Sequence, residues 1–307
     1  MGFEDLPDEY DGELLKRCWE LLASEVDSSK VRLRATSDLV AAVKEIHPNP
    51  LYANYSADRL SGRVAGKTIG QDDGTVDVVV DVSCVHRDSD PILAEQLFFH
   101  EAMHVVIKQR GESLEIDDVR TIAQELGLAL DIVGMASIAA EEARVEKEVR
   151  ARFPDQPGPY RNGLEELGKE FRRGAEVAWN KYQDDDNVED FYASVTSSFQ
   201  VLVTASGYAA ADFSATNVEV ADVSFDPVVE QVAFGSNWSK LLALLMKESP
   251  AKTPTDITKL NTQVGHAAET VFDWLKDVGF SVVPKGDGVE IRVLNPLVWM
   301  INAFPSE

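Results

Sequence analysis

Residues 100–104 read His-Glu-Ala-Met-His. On a helix, side chains four apart stand one above the other, so His100 and His104 can bind one metal ion from a single face. Glu101, about 100° further round, reaches the water that such an ion would activate. The chemistry of that spacing is metal-assisted amide hydrolysis: the ion makes water acidic near neutral pH, and the carboxylate carries its proton to the leaving amine. A competing reading packs both histidines on a half-buried helix beside a solvated glutamate. Leu93, Leu97 and Ile107 share the His100/His104 face, which predicts that this face points inward, as a metal site requires and a core also allows.

The motif resembles that of the zincin metallopeptidases, and the likeness covers about a quarter of the chain, roughly residues 75–150. In that family the HExxH helix follows an edge strand that binds substrate, and here a strand expected over Thr75–Val85 precedes the helix. The metzincin extension is absent, since Val105, Val106, Ile107, Lys108, Gln109 and Arg110 follow His104 without its glycine or histidine. Resemblance to the gluzincin type instead implies Zn2+ and a third ligand from a glutamate on a later helix, often followed four residues on by an acidic companion.

A helix expected over Met135–Arg152 offers Glu141, Glu142, Glu146 and Glu148. With Ile138 at 0°, Met135, Val145, Val149 and Phe153 form an apolar stripe centred at about +20°. Glu142 falls at about +40°, inside that stripe, while Glu141, Glu146 and Glu148 sit at or beyond its edges. A carboxylate inside a core-facing stripe costs several kcal/mol unless it is paired or coordinated, which selects Glu142 as the third ligand and leaves Glu141 as the runner-up. Glu146 then completes Glu-x-x-x-Glu and is placed to orient a ligand imidazole. All four carboxylates on a solvated face is the competing reading. The oxyanion-stabilising group stays open among His86, Tyr160, Tyr208 and His266, none of which lies in a motif.

The elements that must position these residues are legible from pattern. Asp90-Pro91 is an N-cap followed by proline at the first helical position, and Lys108, Arg110 and Gly111 close the HExxH helix. The first ~45 residues read as two amphipathic helices, around residues 14–22 and 39–43. A short strand is expected around Arg63–Ile69, and alternation through Val78, Val80 and Val82 predicts a strand with one wetter face over Thr75–Val85. Helices are expected over about Glu115–Val133 and Met135–Arg152, then Leu164–Tyr182, Val188–Tyr208, Pro227–Lys247 and Pro254–Asp277, the last capped by Thr253. Segments 280–283 and 289–293 flank Lys285-Gly286-Asp287-Gly288 as a β-hairpin. Phe153–Gly158, with two prolines and a glycine, predicts a boundary between a catalytic region over 1–153 and a helical subdomain over 159–307. The expected class is α+β: mostly helical and zincin-like, with a small N-terminal sheet and a helical C-terminal region ending in the hairpin. Gly62, Gly66, Gly70 and Gly74 recur every four residues yet fit no phosphate-binding fingerprint.

Composition narrows the partners. Against 29 Lys+Arg stand 53 Asp+Glu, a formal charge of −24 that repels nucleic-acid phosphates and anionic membranes. The expected partner is a protein or peptide substrate, with neither nucleic acid nor membrane. Cys18 and Cys84 form no CxxC pair, and the acidic start MGFEDLPDEYDGELL lacks the basic flank of a secretory signal, so a cytoplasmic protein is expected. These features converge on a zinc metallopeptidase. The alternatives are a zincin-like interaction or scaffold protein that does not cleave, and a metal-dependent hydrolase of a non-peptide amide.

Overall fold

The computed structural model describes residues 9–46, 58–59, 62–63, 65–156, 163–286 and 288–294. The chain folds as two compact units. The first takes the chain up to Ser113, with Ala151–Phe153 and Ala251–Pro254; the second takes Leu114–Arg150, Pro154–Pro250 and Thr255 onward. The chain crosses between the units after Ser113 and again on either side of residues 151–153, so one crossing, between Phe153 and Pro154, falls at the start of the expected breaker.

The first unit carries α1 (Gly12–Glu25), β1 (Val31–Thr36), α2 (Leu39–Ile46), β2 (Asp58–Arg59), β3 (Gly62–Arg63), β4 (Gly66–Gly70), β5 (Val76–Asp81) and α3 (Pro91–Gln109). The two expected helices form, but β1 lies between them as a strand that helical periodicity concealed. Its alternating Arg32 and Arg34 punctuate Val31, Leu33 and Ala35, and Arg32 grips the cross-strand Asp77 through two hydrogen bonds of 2.9 and 2.8 Å. Strand order is β1-β5-β4, with β1 parallel and β4 antiparallel to β5; β2 pairs separately with β3.

This order corrects two expectations. β5 is the central strand, so the edge facing away from it belongs to β4 on one side and β1 on the other. β5 also has no wet face: all six residues are buried, Asp77 paired with Arg32 and Asp81 accepting from the Ser83 amide at 2.9 Å. Leu39, Ala42 and Val43 of α2 pack on Ile69 and Val79, while Gly66, Thr68 and Gly70 point the opposite way, toward α3. Three small residues at alternate positions bring α3 close to the sheet. This accounts for Gly66 and Gly70; Gly74, at φ +76°, makes the turn into β5.

α3 begins as its capping signal predicts, with Asp90 accepting from the Ile92 amide at 2.9 Å and Pro91 in the first turn. Its far end is fixed by the returning segment 251–254. Arg110 donates to the carbonyls of Ala251 and Lys252, and Lys252 pairs with Glu25 at 2.7 Å and lies over the Phe99 ring.

The second unit contains α4 (Ile116–Leu126), α5 (Leu130–Arg152, but for its last two residues), α6 (Leu164–Asp185), α7 (Val188–Thr216), α8 (Pro227–Val229), α9 (Gly235–Leu245), α10 (Ile257–Asp277) and the antiparallel hairpin β6 (Phe280–Lys285) and β7 (Gly288–Val293). The helix expected over Glu115–Val133 ends early, because Gly127 adopts φ +63° and lets the chain turn into α5. The stretch 227–247 is likewise interrupted by a π-turn at Glu230–Phe234, after which Asp277 caps α9 by accepting from the Asn237 amide at 3.0 Å. Asp256, not Thr253, caps α10, accepting from the amides of Thr258 and Lys259. Phe171, Phe199 and Trp274 anchor the core, and the Trp274 indole donates to the Ala233 carbonyl at 2.8 Å. The protein is α+β and mostly helical, with small sheets and a closing hairpin. No described helix is long and apolar enough to cross a membrane.

Candidate functional site

Glu101 is one of the few buried carboxylates of the first unit, 4% exposed within α3. Its hydrogen bond comes from the strand beneath it: the Thr68 hydroxyl donates to Glu101 Oε2 at 2.6 Å. The other oxygen, Oε1, lies 2.6 Å from where a Cβ on residue 66 would stand, so only glycine leaves room for the carboxylate on β4. The sequence marked Gly66 only as one of four regularly spaced glycines and did not mark Thr68. Their one signal is Gly-x-Thr-x-Gly on a short strand, which acquires meaning once the antiparallel register turns those residues toward α3.

The two imidazoles meet one turn along the same helix. His100 Nε2 and His104 Nε2 are 3.1 Å apart, with ring centroids 4.8 Å apart and planes at 67°. Two nitrogens held about 2.0–2.1 Å from one tetrahedral zinc would stand about 3.3 Å apart, so the pair already has the spacing of a shared ion. At least one of these nitrogens must lack a proton to make that contact, as ligation also demands. Both rings are half-buried.

Their face is more open than its apolar neighbours suggested. Ile107 is fully buried and Leu97 half-buried, but Leu93 is 57% exposed. The buried side of α3 is instead Ala94, Phe98, Phe99, Glu101, Ala102, Met103, Val105 and Ile107. The two histidines are therefore half-buried and Glu101 is fully covered, which sets aside the competing reading of a solvated glutamate.

On α5 the expected stripe does not form as drawn. Ile138, the reference position within it, is 39% exposed, and the buried set runs through Ile132, Met135, Ala136, Ala139, Ala143, Arg144, Val145, Glu146, Val149 and Arg150. Glu141, Glu142 and Glu148 are half-buried, whereas Glu146 is 4% exposed and faces Arg150 at 3.4 Å. Arg150 also approaches Asp212 at 3.7 Å and donates to the Gln156 carbonyl at 2.7 Å. Ion pairing, absent from a helical-wheel count, put Glu146 and not Glu142 deepest. The α5 backbone beside Glu142 is fixed by Gly207 of α7, where a Cβ would stand 2.5 Å from the Ala139 carbonyl and 3.1 Å from Glu142 Cβ.

Two further cations on α5 hold the end of α9. Lys147 donates to the carbonyls of Met246 and Glu248 at 2.8 and 2.6 Å, and Arg144 to that of Ser249 at 3.3 Å. Burial pushes the Lys147 ammonium down to about 8, against the opposing pull of Glu248. Burial raises Glu248 in turn, partly offset by Arg144 and Lys147.

Of the groups considered for oxyanion stabilisation, His86 sits on the loop before α3, its Nδ1 accepting from the Asp88 amide and its ring edge-on to Tyr10. His266 is exposed on α10 and Tyr208 is half-buried on α7. Tyr160 lies outside the described residues. No family model, curated protein or solved structure matches the chain.

Proposed function

We propose that the protein is a zinc metallopeptidase in which His100 and His104 hold the ion and Glu101 is the general base. The observation that carries this reading is the approach of the two Nε2 atoms on the helix that also buries Glu101 on β4. The donor set completes it: His100, His104 and Glu142 are side chains of the types and burial that can hold a metal ion, with Glu141 the runner-up for the carboxylate. Zinc held by them would supply Lewis acidity, making a water acidic near neutral pH and polarising an amide carbonyl. Glu101 takes a proton from the attacking water and delivers it to the leaving amine. Glu146, one turn beyond Glu142, stands where the resemblance has its acidic companion, and its carboxylate faces Arg150.

The zincin resemblance asks for a strand edge beside the motif helix. β4, which touches Glu101 and lies at one edge of the sheet, fits that role better than the central β5. An extended peptide is therefore the substrate, and the net charge of −24 disfavours nucleic acid and anionic membranes as partners. The free thiols Cys18 and Cys84, both pushed up to about 12 by burial, suit the reducing cytoplasm.

Metal analysis and a peptide-library digest, run on the wild type and on Glu101→Gln, test the reading. Expected are one zinc per chain in both proteins and cleavage about 100- to 10,000-fold slower in the variant. Absence of zinc overturns it, as does a variant that cleaves at the wild-type rate. Bound zinc without cleavage of any library peptide favours the non-cleaving scaffold.

A further inference from the structure

Glu101 is oriented by a strand and not by its own helix. We infer that Thr68 is a positioning residue that ties down Glu101 Oε2 and so reserves Oε1, lying over the bare backbone of Gly66, for the proton of the attacking water. This inference rests on the metallopeptidase reading and assigns the geometry within it.

Three observations carry it. The Thr68 hydroxyl has a single proton, and its 2.6 Å approach to Oε2 against 3.4 Å to the Glu101 carbonyl shows where that proton goes. Thr68 and Glu101 are 8% and 4% exposed, so water does not compete strongly for the bond. On the other side, Oε1 occupies the place a side chain would take at residue 66. A glutamate has three side-chain torsions, and a carboxylate free about the last can present either oxygen at any angle. A hydrogen bond to one oxygen and the room that Gly66 leaves for the other, both from one strand, select a single orientation. Thr68 touches no reacting atom, and its effect is exerted wholly through Glu101.

The test pairs kinetics with a measurement on the metal-free protein. Thr68→Val keeps the shape and removes the proton, while Thr68→Ser keeps the hydroxyl. Expected for Thr68→Val is a kcat lowered about 10- to 100-fold, with KM and zinc content unchanged. Thr68→Ser should recover activity to within a few fold. In a Glu101→Gln background Thr68→Val should cost much less, because the group it orients is gone. In the metal-free protein, isotope-edited infrared spectra should show the Glu101 carboxylate stretch moving in Thr68→Val and not in Thr68→Ser. Gly66→Ala, which puts a methyl against Oε1, should lower kcat at least as much.

A wild type that cleaves alongside an equally active Thr68→Val, or an equal loss in the Glu101→Gln background, overturns the positioning role and leaves the metallopeptidase reading standing. A carboxylate band that ignores Thr68→Val also overturns it, whatever the kinetics. A wild type without zinc and without cleavage overturns both.

Discussion

Glu101 in the first unit and Glu146 in the second are buried to the same degree, 4% exposed each, and are held in opposite ways. Glu146 faces the Arg150 guanidinium one helical turn away, within a set of buried charges that includes Asp212. Glu101 faces a neutral hydroxyl and a glycine. A buried carboxylate is costly, and a cation offsets that cost where stability is the purpose. Glu146 is explained by the fold, because its partner also ties α5 to the loop at Gln156. Glu101 is not, since one neutral hydrogen bond compensates its burial poorly. The role proposed for Glu101 as general base would account for a carboxylate kept there.

The largest stability effect that would break this contrast is on the second unit. Arg150→Met leaves Glu146 and Asp212 without the guanidinium between them, and the expected loss is about 3–5 kcal/mol in urea unfolding. A loss under 1 kcal/mol would mean that the Glu146 environment is no more structural than that of Glu101.

Next in size is Gly207→Ala. The added methyl would stand 2.5 Å from the Ala139 carbonyl, which is backbone and cannot turn aside, so α5 and α7 must separate at a cost of about 1–3 kcal/mol. Because Glu142 is the neighbour at 3.1 Å, zinc affinity should fall as well, measured by competition with a chromogenic chelator. Unchanged affinity alongside lowered stability would favour Glu141 as the third ligand.

How much of this was legible depends on whether the signal was local. The HExxH helix, its Asp90-Pro91 start and its Gly111 stop are readable because caps and i,i+4 spacing act within a turn or two. β1 was missed because its evidence is non-local: Arg32 reads as a strand residue only when Asp77 of β5 lies beside it. The Thr68–Glu101 contact was out of reach for the same reason, as its partners are 33 residues apart. The apolar stripe of α5 misled because a wheel ranks burial by hydrophobicity, and α5 buries Arg144, Glu146 and Arg150 through pairing. Exposed Ile138 and Leu93 are the complementary errors.

A smaller effect belongs to Lys147, whose ammonium is pushed down to about 8 from 10.5. Between those values the unfolded chain binds the proton more fully than the folded one, so stability should rise as pH climbs from about 8 to about 10.5. The gain is about 1–2 kcal/mol once the partial exposure of the group is allowed for. Urea midpoints of wild type and Lys147→Met across that range isolate it, since the variant lacks the titrating group. A difference between them that stays constant with pH would show that the carbonyls of Met246 and Glu248 keep the ammonium charged throughout.

The smallest expected effect bears hardest on the contrast. Glu101→Gln replaces a buried carboxylate, for which no ion pair is seen among the described residues, by an amide to whose oxygen Thr68 can still donate, so stability should fall by less than about 1 kcal/mol and can rise. The same substitution is the one expected to cost most of the activity. Loss of function without loss of stability is what distinguishes a reacting group from a structural one. Were Glu101→Gln to destabilise the metal-free protein as much as Arg150→Met does, Glu101 would be a structural carboxylate like Glu146, and its place between two histidines would lose its chemical meaning.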